Sequence, residues 1–214
     1  MGNQLYILDD NLWFPPVEEA LDDGLLAVGG DLSVDRLLLA YSNGIFPWFN
    51  EDEPPLWWCP DPRFVLFPDE LKISKSMKQV LKAGALEFRI NTAFREVISN
   101  CRQAYRPGQD GTWITDDIVS AYCLLHEMGH AHSAEAWQDG NLVGGLYGIR
   151  LGNAFFGESM FAKISNASKF AFIKWVQVLQ GEHVKIIDCQ VYTEHLESLG
   201  ARMISRNDFL SYIS

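Results

Sequence analysis

With 214 residues, 48% of them hydrophobic and 21% charged, the chain is long enough to bury a substantial core as one large domain or two small ones. A formal charge of −11 argues against a general nucleic-acid binder, and four scattered cysteines without a C-x-x-C pair suit a reducing compartment better than a disulfide framework. The opening MGNQLYILDD lacks the basic flank and apolar run of a signal peptide, Tyr6 replaces the Ser or Thr of a myristoylation signal, and no apolar stretch approaches the ~20 residues of a membrane span, so a soluble, cytoplasmic protein is expected.

In chain order, residues 1–62 are rich in Pro, Gly and Trp. FPPVEEALDDGLLAVGGDLS predicts turns around short helical pieces. SVDRLLLAYSNG predicts a short helix with Ser33 as N-cap and Gly44 as its stop. GIFPWFNEDEPPLWWCPDPR is too rich in Pro for regular structure, and its Trp48, Trp57 and Trp58 have to bury their rings against something. Residues 1–62 are therefore expected to form a small N-terminal α/β domain packed on a larger unit, residues 63–214.

From Arg63 the character changes. RFVLFP predicts a strand, SKSMKQVLKAG a helix, EFRIN a strand, and TAFREVISNCRQAY a helix capped by Thr92 or Asn91. TDDIVSAYCLLHEMG predicts a helix opened by Thr115 with acids in its first turn. AHSAEAWQDGNLVGGLYGIRLGNAFFGESMF predicts a run of strands with a hairpin at Asp139-Gly140. NASKFAFIKWVQVLQG predicts an amphipathic helix, VKIIDCQ a strand, TEHLESLG a helix ended by Gly200, and ARMISRNDFLSYIS a tail. The fold class expected is α/β (α+β), a mixed central sheet flanked by helices.

Charge is unevenly placed. Between Lys72 and Arg106 eight basic residues face only Glu87 and Glu96, a +6 island. Lys75, Lys78 and Lys82 share one helix face at i, i+3, i+7. Such a face is either a solvated helix surface or a surface that steers an anionic polymer. The stretch HEMGHAHS contains H-E-x-x-H, the helical zinc signature, at His126, Glu127 and His130. Gly129 inside the motif is a helix stop, and HAHSAEAW beyond it alternates like a strand, so the two histidines are not expected to share a face. Metal ligation is not expected. GESMF lacks the second Gly of a nucleophile elbow, and no phosphate loop or dinucleotide fingerprint is present.

Two stretches put polar groups where a core sequence would rather not. Glu158 and Ser159 follow the aromatic run of NAFFGESMF, and Asp188 and Gln190 interrupt the apolar strand VKIIDCQVY. Period-2 alternation sends Asp188 and Gln190 to one side, either to hold a substrate amine or as a buried pair tied to neighbouring backbone.

GIFPWF, LWWCPDPR, GTWI, HAHSAEAW, GGLYG, FFGESMF, NASK and IDCQ occur in this order. Together they resemble the leucyl/phenylalanyl-tRNA–protein transferase family over about residues 11–210. Members are similar at GHAHS without needing the Glu before it, so His126-Glu127 completes the zinc pattern by chance. The resemblance implies transfer of Leu or Phe, and less readily Met, from aminoacyl-tRNA to the α-amino group of proteins beginning with Arg or Lys, creating an N-end rule degradation signal. It also implies a catalytic domain like the GNAT acyltransferases over residues 63–214.

The family pattern puts Asp188 and Gln190 at the reaction centre. Asp188 would accept a hydrogen bond from the attacking amine and help its deprotonation, and Gln190 would orient the amine or the ester carbonyl. Glu158 is the candidate for pairing with the acceptor's cationic N-terminal residue or for holding the reacting end. Leu146 and Phe155 are assigned to the apolar slot for the transferred side chain. Trp48 and Trp113 are assigned to the terminal adenine, with core packing as the alternative; Trp57, Trp58 and Trp137 are left to the core. Lys75, Lys78 and Lys82 would contact acceptor-stem phosphates. The ester is already activated, so no metal, nucleotide or other cofactor is called for, and nothing demands more than a monomer.

An acetyl-CoA-dependent GNAT enzyme fits less well, because IRLGNA carries Ile149 where the pyrophosphate loop wants Arg or Gln. A non-catalytic RNA-binding module would have no use for Glu158, Asp188 and Gln190.

Overall fold

Two sheets share one core that runs across both. The computed structural model describes residues 5–104 and 112–213. Tyr105 and Arg106 of the basic stretch, and Gly111 of GTWI, lie outside these residues.

The first sheet is built from β1 (Tyr6–Leu8), β2 (Leu25–Gly29), β3 (Phe46–Pro47) and β4 (Leu56–Trp58), in the order β1-β2-β4-β3. Between β2 and β3 lies α1 (Val34–Ser42), and Ser33 caps it by accepting from Arg36 N, as expected. The strands themselves depart from expectation. Leu25–Gly29 was expected as turn and short helix, and the Pro-rich stretch as irregular. Pro47 fits because β3 is an edge strand, where a missing N–H breaks no ladder. Trp57 is wholly buried and donates Nε1–H to Gly29 O at 2.8 Å. That contact lies 28 residues away in sequence, beyond any local pattern.

The second sheet follows: β5 (Arg63–Leu66), α2 (Lys75–Ala83), β6 (Glu87–Ile90), α3 (Phe94–Gln103), α4 (Asp116–Glu127), β7 (Ala131–Gln138), β8 (Asn141–Leu151), β9 (Ala154–Ala162), α5 (Ala167–Gly181), β10 (Ile186–Gln190), α6 (Glu194–Glu197), β11 (Arg202–Ile204) and α7 (Arg206–Ile213). Its strand order is β11-β5-β10-β9-β8-β7-β6. The class is the expected α/β one, a mixed sheet flanked by helices. The C-terminal segment, expected as a tail, instead adds β11 to the edge beside β5 and buries Phe209 of α7 completely. The β7–β8 hairpin turns at Asp139 (φ 50°) and Gly140 (φ 75°), the left-handed pair that a two-residue hairpin demands.

Alternation divides the sheet's two faces. Leu146, Phe155 and Ile187 pack on one side with α5, whereas Tyr147, Phe156 and Ile186 join α3, α4 and the first sheet on the other. Neither Thr92 nor Asn91 is the N-cap of α3; Ala93 is, with no side-chain cap of its own. The helix is capped from the sheet instead: buried Glu135 on β7 accepts from Thr92 N and Ala93 N, both at 2.9 Å. The helix α4 ends at Glu127 and Gly129 takes φ 84°. His130 therefore leaves the helix face. His126 stacks on Phe94 at 4.2 Å, and its Nδ1 lies 2.8 Å from Ala131 O. The H-E-x-x-H stretch is a helix end turning into a strand.

Candidate active site

Among the described residues, only one strand pair in the large sheet is parallel. β9 and β10 pair from Ala154/Ile186 to Phe156/Asp188, and there the pairing stops. Two irregularities coincide with the stop. The β8–β9 register shifts between Tyr147 and Gly148, and the β10–β5 register shifts between Asp188 and Gln190, where Gln190 takes φ 62°. Bulges bend strands and redirect side chains. Residues 157–160 and 187–191, at and beyond this point, line a cavity of about 470 Å³. That volume is within the ~300–1,000 Å³ of small-molecule sites.

The apolar wall of the cavity includes Leu146, Met160 and Phe172, and Trp48 and Trp113 also line it. Trp113 is nearly buried, whereas Trp48 is 43% exposed and leaves a ring face for a ligand.

Glu158 is the hub of the polar wall. Its Oε1 accepts from Tyr41 Oη at 2.8 Å and from Gln190 Nε2 at 3.0 Å, and its Oε2 lies 3.3 Å from Tyr122 Oη. Tyr41 and Tyr122 are hydrogen-bonded to each other. Burial pushes the Glu158 carboxyl up to about 8, the nearby Asp188 charge adding to the effect and the hydrogen bonds from Tyr41, Tyr122 and Gln190 opposing it. Burial and the Glu158 charge hold both tyrosines far above the usual phenol value, so they remain phenols.

Asp188 has a different neighbourhood. Arg63 Nε and Nη2 donate to its two oxygens at 2.8 and 2.7 Å, and both side chains are fully buried. The guanidinium lies between the rings of Phe46 and Phe209, each 4.7 Å away. Gln190 N also donates to Asp188 Oδ1 at 2.9 Å. Both Asp188 oxygens already accept from Arg63, a geometry that favours Asp188 acting through the Gln190 backbone over the direct hydrogen bond from the amine expected for it.

Of the residues picked out in the sequence, Trp48, Trp113, Leu146, Glu158, Asp188 and Gln190 come together at the cavity. Phe155 does not line it. Its ring is fully buried on the α5 side against Trp175, at 5.4 Å, so its assignment to the slot is corrected to core packing. Lys75, Lys78 and Lys82 stand exposed on α2, outside the cavity lining.

Sequence reasoning missed Tyr41, Tyr122 and Arg63. The tyrosines occupy ordinary apolar-stripe positions of α1 and α4, and nothing local marks them. Arg63 did leave a signal: an arginine opening a four-residue strand that is buried throughout requires an acid, and Asp188 sits on the strand paired with it.

Among solved structures, an N-acetyltransferase from Thermoplasma acidophilum bound to coenzyme A aligns at a TM-score of 0.37 and 15% identity, covering 46% of this chain and 74% of that one. A likeness this distant carries no argument. Sequence comparison is far closer. The family model described as leucyl/phenylalanyl-tRNA protein transferase matches residues 65–214, and that of the same family's N-terminal domain matches residues 30–61. The leucyl/phenylalanyl-tRNA–protein transferase of Flavobacterium johnsoniae is 58% identical over 209 residues, 98% of this chain and 99% of the relative. That of Chromobacterium violaceum is 56% identical over 200 residues, 92% of this chain and 85% of the relative. That of Myxococcus xanthus is 53% identical over 212 residues, 98% of this chain and 91% of the relative. Matches of this length and identity establish that the chain belongs to the leucyl/phenylalanyl-tRNA–protein transferase family.

Proposed function

We propose that this enzyme moves leucine or phenylalanine, and methionine less readily, from aminoacyl-tRNA to the α-amino group of cytoplasmic proteins that begin with Arg or Lys, marking them for degradation by the N-end rule. The observation that carries this reading is the cavity at the β9–β10 parting. It combines an apolar wall of Leu146, Met160 and Phe172 with two tryptophans and a polar wall ending in Gln190. An apolar amino-acid side chain, an adenine and a reacting ester have complementary places there. The division into residues 1–62 and 63–214 is supported by the two family matches, which meet between residues 61 and 65.

The reaction joins the amine nitrogen to the ester carbonyl carbon and breaks the bond to the tRNA ribose oxygen, which leaves with a proton. The acceptor amine has an ordinary pKa near ~8, so a minority is already neutral at pH 7. Proximity and orientation then do most of the work. Gln190 Nε2 is engaged by Glu158, which leaves its amide oxygen to accept from the amine. The Arg63–Asp188 pair holds Gln190 N and with it the bulge that aims this side chain. Asp188 acts through Gln190 and is a positioning residue. Lys75, Lys78 and Lys82 meet acceptor-stem phosphates without reading bases.

The test is to incubate the purified protein, in EDTA, with radiolabelled Leu-tRNA and two proteins identical except for starting with Arg or Ala. Label on the Arg-start protein alone is expected. Label on neither would leave an RNA-binding module or a CoA-dependent acyltransferase.

A further inference from the structure

Glu158, Tyr41 and Tyr122 make three oxygen–oxygen contacts: Tyr41 to Glu158 Oε1, Tyr41 to Tyr122, and Tyr122 to Glu158 Oε2. Each contact needs one proton to be a hydrogen bond. Two phenols supply two. The third is supplied when the carboxyl group keeps its own proton, the Tyr122 contact then running from Oε2–H to the phenol oxygen instead of the donation from Tyr122 that an ionised carboxylate would receive. A protonated Glu158 satisfies all three: Oε2–H donates to Tyr122, Tyr122 donates to Tyr41, and Tyr41 donates to Oε1. Oε1 is then a pure acceptor with room for one more donor, and Gln190 Nε2 occupies that place at 3.0 Å.

The geometry points to a closed, neutral hydrogen-bond ring in which Glu158 keeps its proton and serves as a positioning residue that fixes which end of the Gln190 amide faces the substrate. This goes beyond the proposed transfer reaction and rests on it only for its kinetic arm. The charged groups around the ring agree with neutrality. Asp188 is an anion nearby, and Arg63, the cation that faces it, is spent on Asp188. Burial acts in the same direction. The consequence for chemistry is direct. An ionised Glu158 behind Gln190 would favour the ammonium form of the incoming amine, which cannot attack; a neutral one does not. Tyr41 comes from α1 and Tyr122 from α4, so the ring also ties the N-terminal segment to the reacting end.

Infrared difference spectra of wild type against Glu158→Gln test the ring without any turnover. Below about pH 7 the wild type should show a protonated-carboxyl band that the variant lacks. Tyr122→Phe, which opens two of the three contacts, should move that band. No such band in the wild type, or a band unmoved by Tyr122→Phe, would overturn the ring whether or not the protein transfers amino acids. Kinetics test the role. Glu158→Gln can reproduce the neutral ring, with its amide N–H on Tyr122 and its oxygen on Gln190. Its kcat should fall by less than about tenfold, where losing a general base costs roughly 10²–10⁴-fold. The ratio of variant to wild-type rate should rise as pH passes through about 8. Loss of kcat beyond 10²-fold in Glu158→Gln with the fold intact would make Glu158 a proton carrier instead, and a ratio flat with pH would mean that its ionisation does not reach the reacting amine; either result would overturn the positioning role.

Discussion

Arg63 and Asp188 show how a buried ion pair constrains both stability and chemistry. Each is fully buried, and each supplies what the other lacks. Removing one charge strands the other, a loss of roughly 3–5 kcal/mol. Asp188→Asn should therefore lower the unfolding free energy by that order and reduce transfer in the same protein, measured by denaturant melts alongside single-turnover rates. A variant that lost transfer at undiminished stability would return Asp188 to the part of a base. The Glu158 carboxyl carries a second signature. Its folded value of about 8 lies above the ordinary carboxylate range, so between about 4.5 and 8 the folded chain binds a proton that the unfolded chain has released. Stability should fall as pH rises through that window, by on the order of a few kcal/mol, and Glu158→Gln should flatten the fall.

Among the elements, the best-read ones were those whose signals are local. Ser33 and Thr115 cap α1 and α4 where side chain and spacing said they would, and Ser74 caps α2 by accepting from Met77 N. The Asp139-Gly140 hairpin was legible for the same reason, since φ > 0 is a property of two residues. What could not be read was set by partners distant in the chain. β2 is a strand because β4 pairs with it, and β11 because β5 offers an edge. The cap of α3 is the clearest instance. Glu135 comes from β7, some 42 residues beyond Ala93, and also accepts from Ser133 and Trp137. Burial alone would raise its carboxyl, yet the donors from Thr92, Trp137, Ala93 and Ser133 together hold it below the usual value. A depressed folded pKa gives stability that is present above the unfolded value near ~4.3 and lost as pH falls through the folded one. Glu135→Gln should weaken the protein at neutral pH by about 1–3 kcal/mol and make its acid unfolding less steep, as circular dichroism would record.

Across the whole molecule, the cavity is assembled from both sides of residue 62. Phe46 of β3 and Trp48 just after it reach it from the first sheet, whereas Leu146, Glu158 and Gln190 come from the second sheet. Charge is divided as well. A second cavity is lined by Asp31, Glu51, Glu53, Asp116 and Asp117, a surface that repels a polyanion. The exposed lysines of α2 do the opposite. An acidic protein can in this way present a tRNA with one favourable face and an unfavourable one. Contacts of that kind neutralise phosphates and release counterions, about 0.7–0.9 in the log–log salt slope for each phosphate. Replacing Lys75, Lys78 and Lys82 together with Ala should then raise KM for aminoacyl-tRNA, flatten its salt dependence by about 2–3 in slope, and leave kcat untouched, since none of the three lines the cavity. Transfer rates measured from low to physiological salt would separate the terms. A salt slope as steep in the triple variant as in the wild type would move the tRNA track off α2, whereas a fall in kcat would mean that α2 reaches the reacting end after all.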